Sequence, residues 1–223
     1  PSHETFFSKM LGDVGESTAP FGLVDVQDDG SGIAEAYCSV DATLARRLRE
    51  VARVLGVSAA SVCHLAWALV LARVSARNDV VFGTVLVGHM QGGEGADRVL
   101  GPFINTLPVR ICVGEESVKS SVRHTHTQLA QLLLHEHASL ALAQRCSAVA
   151  APAPLFSALL NYRHSATVVQ APTGAQQAGA GIEYLESAER TNYPFALSVD
   201  DLGEGFALTA QVQSPIDPAR ICA

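Results

Sequence analysis

Histidine and glutamate are side chains that bind metals and move protons. Residues 124–137, HTHTQLAQLLLHEH, bring together His124, His126, His135, His137 and Glu136. A zinc site on a helix wants ligands three or four positions apart, so that they converge on one face. His124 and His126 are two positions apart, as are His135 and His137, and on a helix each pair diverges by roughly 200°. With no His-Glu-x-x-His pattern, the segment reads as a helix whose histidines are solvated near its ends, and no metal is expected. Another histidine, His89, stands where DVVFGTVLV (79–87) gives way to GHMQGG (88–93). A strand end beside a glycine-rich loop is a place where an acyl-transfer enzyme could keep a general base. The sequence holds no Gly-x-Ser-x-Gly elbow, no P-loop and no Gly-x-Gly-x-x-Gly fingerprint. MQGGEGADR (90–98) is rich in glycine but carries Glu94 and Asp97, the wrong sign for a phosphate cradle.

The elements that must position these residues follow from periodicity and capping. Residues 3–11 read as a short helix, 19–32 as an irregular connector and IAEAYCSV (33–40) as a strand. Asp41 can cap a helix with Leu44, Leu48, Val51, Val54 and Leu55 inward. Ser58 can cap a second one, to about Arg77, with Val62, Leu65, Ala66, Leu69 and Val70 inward. DVVFGTVLV is β-branched and uncharged after Asp79, as a buried strand should be. INTLPVRICV (104–113) follows as a strand whose Pro108 points to an edge or a bulge. A long helix runs from Ser117 to about Glu136, and SLALAQRC adds a turn or two. PLFSALLNYRHS (154–165) is strand-like, and residues 166–181 form a flexible loop of low complexity. IEYLES, FALSVDD and FALTAQVQ close the chain as three strands, the last two joined by the hairpin chemistry of DLGEG. The order predicts an α/β fold, a two-layer sandwich in which helices cover a mixed sheet.

Bulk properties narrow the function classes. The 223 residues suffice for one large domain or two small ones. A mean hydropathy of +0.21 is high for a globular chain, yet no run approaches the about 18 uninterrupted apolar residues of a membrane span. No signal peptide is visible. The net charge of −7, with lysine only at Lys9 and Lys119, argues against a nucleic-acid surface. LREVARVLGVSAASVCHLAWALVLAR (48–73) has a helix-turn-helix outline, but the start of its second helix is Ser, Ala and Val where a recognition helix needs base-reading groups. Five widely spaced cysteines, Cys38, Cys63, Cys112, Cys146 and Cys222, read as small hydrophobes of a reduced compartment, and a cytoplasmic location is expected. The start at Pro1 and the ending DPARICA are expected to be cuts through a longer polypeptide.

Four stretches carry a resemblance. LGPFINTLPVR (100–110) resembles the fifth core motif of nonribosomal peptide synthetase condensation domains, a Gly-x-Phe-Val-Asn-Thr run ending in Arg. HEHASLALAQ (135–144) stands where the sixth motif belongs and keeps its His-Gln-Asp-Tyr-Pro only loosely. APLFSALLNYRHS (153–165) resembles the seventh, and TNYPFALSVDD with FALTAQVQ is similar to the last two strands. The likeness covers essentially the whole chain, in the family's order.

The resemblance implies a chloramphenicol-acetyltransferase-like lobe. Residues 1–223 would be the C-terminal half of a condensation domain, which joins a first lobe around a substrate tunnel. The family's His-His-x-x-x-Asp-Gly signature belongs to that first lobe and has no copy here, so the isolated lobe is expected to be inactive. The parent would form amide bonds between acyl or peptidyl and aminoacyl thioesters. These ride on the phosphopantetheine of upstream and downstream peptidyl carrier proteins, beside an adenylation domain, with no cofactor bound directly. By the same likeness Asn161 would face the tunnel, or else satisfy a strand end. Gly83, Thr84 and Gly88 would line the wall. Asn105 and Thr106 would hold strand geometry or touch substrate, and Arg110 would pair with an acid. The family usually places arginine at the position of His89, where it bridges to the first lobe's aspartate. Histidine is shorter and mostly neutral near pH 7, so the inter-lobe clasp should be weaker. An epimerization-domain lobe and a non-catalytic carrier-docking lobe are the alternatives; the wording PFINTLPVR favours condensation over epimerization.

Overall fold

The structure, a computed structural model, describes residues 2–26, 30–87, 104–114, 116–164 and 191–223. Gly88, His89, the 166–181 loop and the IEYLES strand expected over 182–187 lie outside the described residues. The elements are α1 (His3–Leu11), a short 3₁₀ turn at Pro20–Gly22, β1 (Ile33–Ser39), α2 (Ala42–Leu55), α3 (Ala59–Ser75), β2 (Asp79–Val87), β3 (Ile104–Cys112), α4 (Val118–Leu133), α5 (Leu140–Arg145), β4 (Ala158–His164), β5 (Phe195–Asp201), β6 (Phe206–Gln213) and α6 (Pro218–Cys222).

Caps set the long helices. Asp41 Oδ1 accepts from the amides of Thr43 and Leu44 at the start of α2, and Gly56 ends it in the left-handed region at φ 69°. Ser58 and Ser117 cap α3 and α4 in the same way. α6, which periodicity did not reveal, starts at Pro218 behind its cap Asp217.

The strands form one six-stranded mixed sheet in the order β1-β6-β5-β4-β2-β3. β2 and β4, and β4 and β5, run parallel, and the other neighbours are antiparallel. Pro108 lies on β3, an edge strand of this sheet, where its missing N–H costs no ladder bond. α2, α3, α4 and α6 cover one face, as expected of the long helices. Over the β2–β3 half of the other face lie α1, α5 and the segment leading to Phe156. Between sheet and helices, Trp67 stacks on Phe195 at 5.1 Å, and Phe82, Leu71, Leu107 and Leu160 are fully buried.

The inward stripes of two helices differ in phase from expectation. On α2, Leu44, Val51 and Val54 are exposed, and Ala45 and Ala52 are buried with Leu48 and Leu55 partly covered. The small alanines let the helix lie close, and Arg49 on the same side reaches the sheet. On α3, Ala66 and Leu69 are exposed, and the buried set is Ser61, His64, Leu65, Trp67, Ala68, Leu71 and Ala72. A helix this apolar has no single stripe to read, so packing of Trp67 and bonding of His64 decide the phase.

Candidate functional site

Alternation along the strands divides the sheet residues between two faces. Leu160 and Tyr162 of β4 face α2 and α3, so Asn161 faces away. Register extends its neighbourhood across the sheet: Asn161 pairs with Ser198, Ser198 with Thr209 and Thr209 with Tyr37. On the other side Gly83 and Thr84 stand beside Leu159 and Leu160, so Val85, the partner of Thr106, is next to Asn161. Thr106, Val85, Asn161, Ser198, Thr209 and Tyr37 therefore make one row on the face opposite the long helices. Asn161, Thr106, Ser198 and Thr209 are half-buried and Tyr37 is exposed. The Asn161 amide has no hydrogen-bond partner among the described residues. Ser198, Thr209 and Tyr37 escaped notice in the sequence; their only signal was the period-two alternation of FALSVDD, FALTAQVQ and IAEAYCS.

The other expected site residues do not gather around that row. Thr84 is on the helix face and fully buried, with Oγ1 2.8 Å from His64 Nε2. Gly83 shares the face of Asn161 but abuts packed side chains: a Cβ there would stand 2.6 Å from Phe156 Cε2 and 2.9 Å from Leu159 Cδ1. Asn105 also faces the helix side. Its Nδ2 donates to the carbonyls of Glu136 and Ala138, 2.7 Å each, and so ties β3 to the turn after α4. Arg110 pairs with acids as expected, and with two of them: Asp79 at 2.7 Å and Asp13 at 2.5 Å, while Nη1 also donates to the Met10 carbonyl. Those bonds hold both carboxyls below their ordinary values, in each case chiefly through the Arg110 hydrogen bond.

The histidines of 124–137 separate. His124 meets Glu116 at 3.1 Å, and His126 Nδ1 meets Ser61 Oγ at 3.0 Å. His135 is not solvated as expected. It is buried, stacked on Phe6 at 4.1 Å, with its Nδ1 2.8 Å from His3 Nδ1. The cause is α1, whose Phe6 and His3 fold back over the end of α4. Burial, then the neighbouring His3, push the His135 pKa down. Among the described residues no three His, Cys, Asp or Glu side chains converge to hold a metal.

A second charged cluster went unnoticed in the sequence. Asp201, at the end of β5, accepts from Arg49 of α2 at 2.5 Å, from the Tyr162 hydroxyl at 2.6 Å and from the Gly203 amide at 3.0 Å. Burial pushes the carboxyl up, but these donors outweigh it and hold it well below the usual range. The Arg49 guanidinium also lies 4.2 Å over the Phe206 ring. This cluster fastens α2 to the sheet.

With fold and register in place, comparison with known proteins supplies the class. Residues 27–214 match the family model described as Condensation domain, and the chain belongs to that family. It is 54% identical over 220 residues to malpibaldin synthetase and 51% identical over 221 residues to malpinin synthetase, both of Mortierella alpina. Each match takes in 99% of this chain but only 4% and 3% of those relatives' lengths. Among solved structures, the condensation domain of the monacolin K polyketide synthase MokA shares the fold with a TM-score of 0.67 at 21% identity. That match covers 95% of this chain and 51% of the other. No single helix among the described residues is long and apolar enough to cross a membrane.

Proposed function

We propose that residues 1–223 form the C-terminal lobe of an amide-forming condensation domain. The observation that carries this reading is the family match over 27–214, joined to a chain that spans about half of a solved condensation domain. The half-buried amide of Asn161, in its polar row, supports placing the substrate channel on the sheet face away from the long helices. In the parent, the amine nitrogen of a carrier-bound aminoacyl thioester attacks the carbonyl carbon of an upstream acyl or peptidyl thioester. The C–S bond breaks, the thiol of the donor phosphopantetheine leaves, and the amine proton is removed by a base. His-His-x-x-x-Asp-Gly is not in this chain, so that base belongs to the partner lobe. Asn161 contributes an N–H to the thioester or amide carbonyl and holds it in place, as a preorganised donor should. Thr106 borders the same channel. Thr84, Gly83 and Asn105 serve the lobe's packing, while Gly88 and His89 remain assigned by resemblance to the wall and the inter-lobe contact. The partners are the first lobe, two peptidyl carrier proteins and an adjacent adenylation domain; the compartment is the cytoplasm.

The test is a single-turnover condensation in the parent synthetase with two loaded carriers, comparing the native protein with Asn161→Ala and Asn161→Asp. The reading expects dipeptidyl product from the native protein and a loss of about tenfold or more in Asn161→Ala, for one donor lost at a developing charge. No product from the native protein would replace amide formation with a docking role. Full activity in Asn161→Ala would sink the assignment of Asn161 alone.

A further inference from the structure

We propose that Cys38 and Cys222 form a dithiol that closes reversibly to a disulfide between β1 and α6. Cys38 lies on β1, on the face covered by the long helices, paired in register with Leu208 of β6. Cys222 is the last residue of α6, which packs on the same two strands. Three contacts converge there. Cys38 Sγ donates to the Cys222 carbonyl at 3.5 Å, and Cys222 Sγ lies 3.4 Å from the Ala36 carbonyl and 3.9 Å from the Leu208 carbonyl. Cys38 Sγ thus stands at the backbone of Cys222, and Cys222 Sγ at the backbone of β1 and β6 around Cys38, so the two side chains share one small region of the fold. The sequence separation of 184 residues means that the bond would join the first strand of the sheet to the last helix.

The other cysteines offer no such pairing. Cys63 is on α3, Cys112 is exposed on β3 beside Asp79, and Cys146 donates to the Glu4 carbonyl. Cys38 is half-exposed and Cys222 buried, which orders the chemistry. Burial pushes the Cys222 thiol above its ordinary value, so it is the slower nucleophile. Cys38 loses its proton and attacks one sulfur of a small-molecule disulfide such as glutathione disulfide. The S–S bond of the reagent breaks, and one glutathione thiolate leaves and takes up a proton. Cys222 then loses its proton and displaces the second glutathione from Cys38, forming the Cys38–Cys222 bond. The two protein thiols give up two electrons, and the reagent becomes two thiols.

The proposal is independent of the condensation reading, which stands or falls with the condensation assay. The full 223-residue chain is incubated natively with glutathione disulfide, alkylated, and analysed by intact mass and peptide mapping. The expected product has lost the mass of two hydrogens and joins the Cys38 peptide to the Cys222 peptide. It reverts with dithiothreitol and melts higher than the reduced chain by roughly 5 °C or more, as a loop closed across most of the sequence should. Cys222→Ala should end as a glutathione adduct on Cys38, Cys38→Ser should leave buried Cys222 free, and neither should form the link. Four results overturn the proposal: native Cys38 and Cys222 remaining free under oxidant, either of them linked instead to a different cysteine, a link formed only in denaturant, or a cross-linked chain that melts lower.

Discussion

His64 Nε2 lies 2.8 Å from Thr84 Oγ1 and His64 Nδ1 lies 2.7 Å from the Ala60 carbonyl, so a fully buried imidazole joins α3 to β2. The Ala60 carbonyl can only accept, which places the proton on Nδ1 and leaves Nε2 to accept from the threonine hydroxyl. Burial holds this ring neutral, with its pKa pushed down to about 4 despite the Ala60 bond. The unfolded chain therefore binds more protons than the folded one between the ordinary histidine value near 6.5 and about 4. Stability contributed by His64 is complete above that window and falls as pH drops through it, by up to about 3 kcal/mol. Urea unfolding from pH 7 to pH 4.5 should show this decline. His64→Gln should flatten it, and equal slopes in the two proteins would refute the assignment. Thr84→Val, which strips Nε2 of its donor, should cost about 1–3 kcal/mol at pH 7.

Arg110 binds α1 to the sheet through one planar fork. It reaches Asp79 on β2, Asp13 just beyond α1 and the Met10 carbonyl at once. Lysine carries the charge but cannot present several coplanar donors. Arg110→Lys should therefore destabilise the fold by about 1–2 kcal/mol, discounted for the exposure of Asp13. Hydrogen exchange should accelerate in 3–11 more than in α2. Uniform acceleration across both helices would show that the fork does not fasten α1 in particular.

Much of the architecture was legible because local signals agreed with one another. Asp41 and Ser58 each precede an apolar run and each caps a helix; DVVFGTVLV is a strand because nothing in it favours another state. Resemblance in LGPFINTLPVR and PLFSALLNYRHS identified the class. Phase and pairing were not legible. Leu44, Val51 and Val54 look like an inward stripe, yet Ala45 and Ala52 face the core, because Arg49 had to reach Asp201, distant in sequence by 152 residues. His135 looked solvated because no local pattern announces that α1 will lay Phe6 on it. Within the candidate site, Asn161 was read from its motif, but its neighbours Ser198, Thr209 and Tyr37 come from three strands brought together by register alone. The row also parts Asn161 from Thr84, although the resemblance implies one tunnel wall for both.

Asn105 should act as a structural tie. Its amide satisfies the carbonyls of Glu136 and Ala138 at the turn that carries buried His135. Asn105→Asp replaces the donor by an acceptor facing two carbonyls, and should destabilise by about 2 kcal/mol or more, worse than Asn105→Ala. The second measurement is the His135 titration by NMR: as the turn loosens and the ring gains water, its depressed pKa should climb toward the ordinary value. An unchanged His135 pKa in a folded Asn105→Ala protein would mean that α1 alone keeps the ring buried.

Gly83 tests how closely the lobe is packed on the face that carries Asn161. An added methyl would stand 2.6 Å from Phe156 Cε2, 3.0 Å from Phe156 Cζ and 2.9 Å from Leu159 Cδ1. Phe156 is itself held by its stack on Tyr193 at 5.8 Å and by the bridge between Phe156 and Thr18, so its ring has little freedom to retreat. Gly83→Ala should thus cost about 1–3 kcal/mol in chemical denaturation, the range for overpacking a filled core. Phe156→Leu removes the ring edge and should recover part of that loss when combined with Gly83→Ala, although alone it leaves a cavity and destabilises. Additive losses in the double variant would show that the clash lies elsewhere. A harmless Gly83→Ala would mean that the space before Gly83 is open, and would return this glycine to the channel wall.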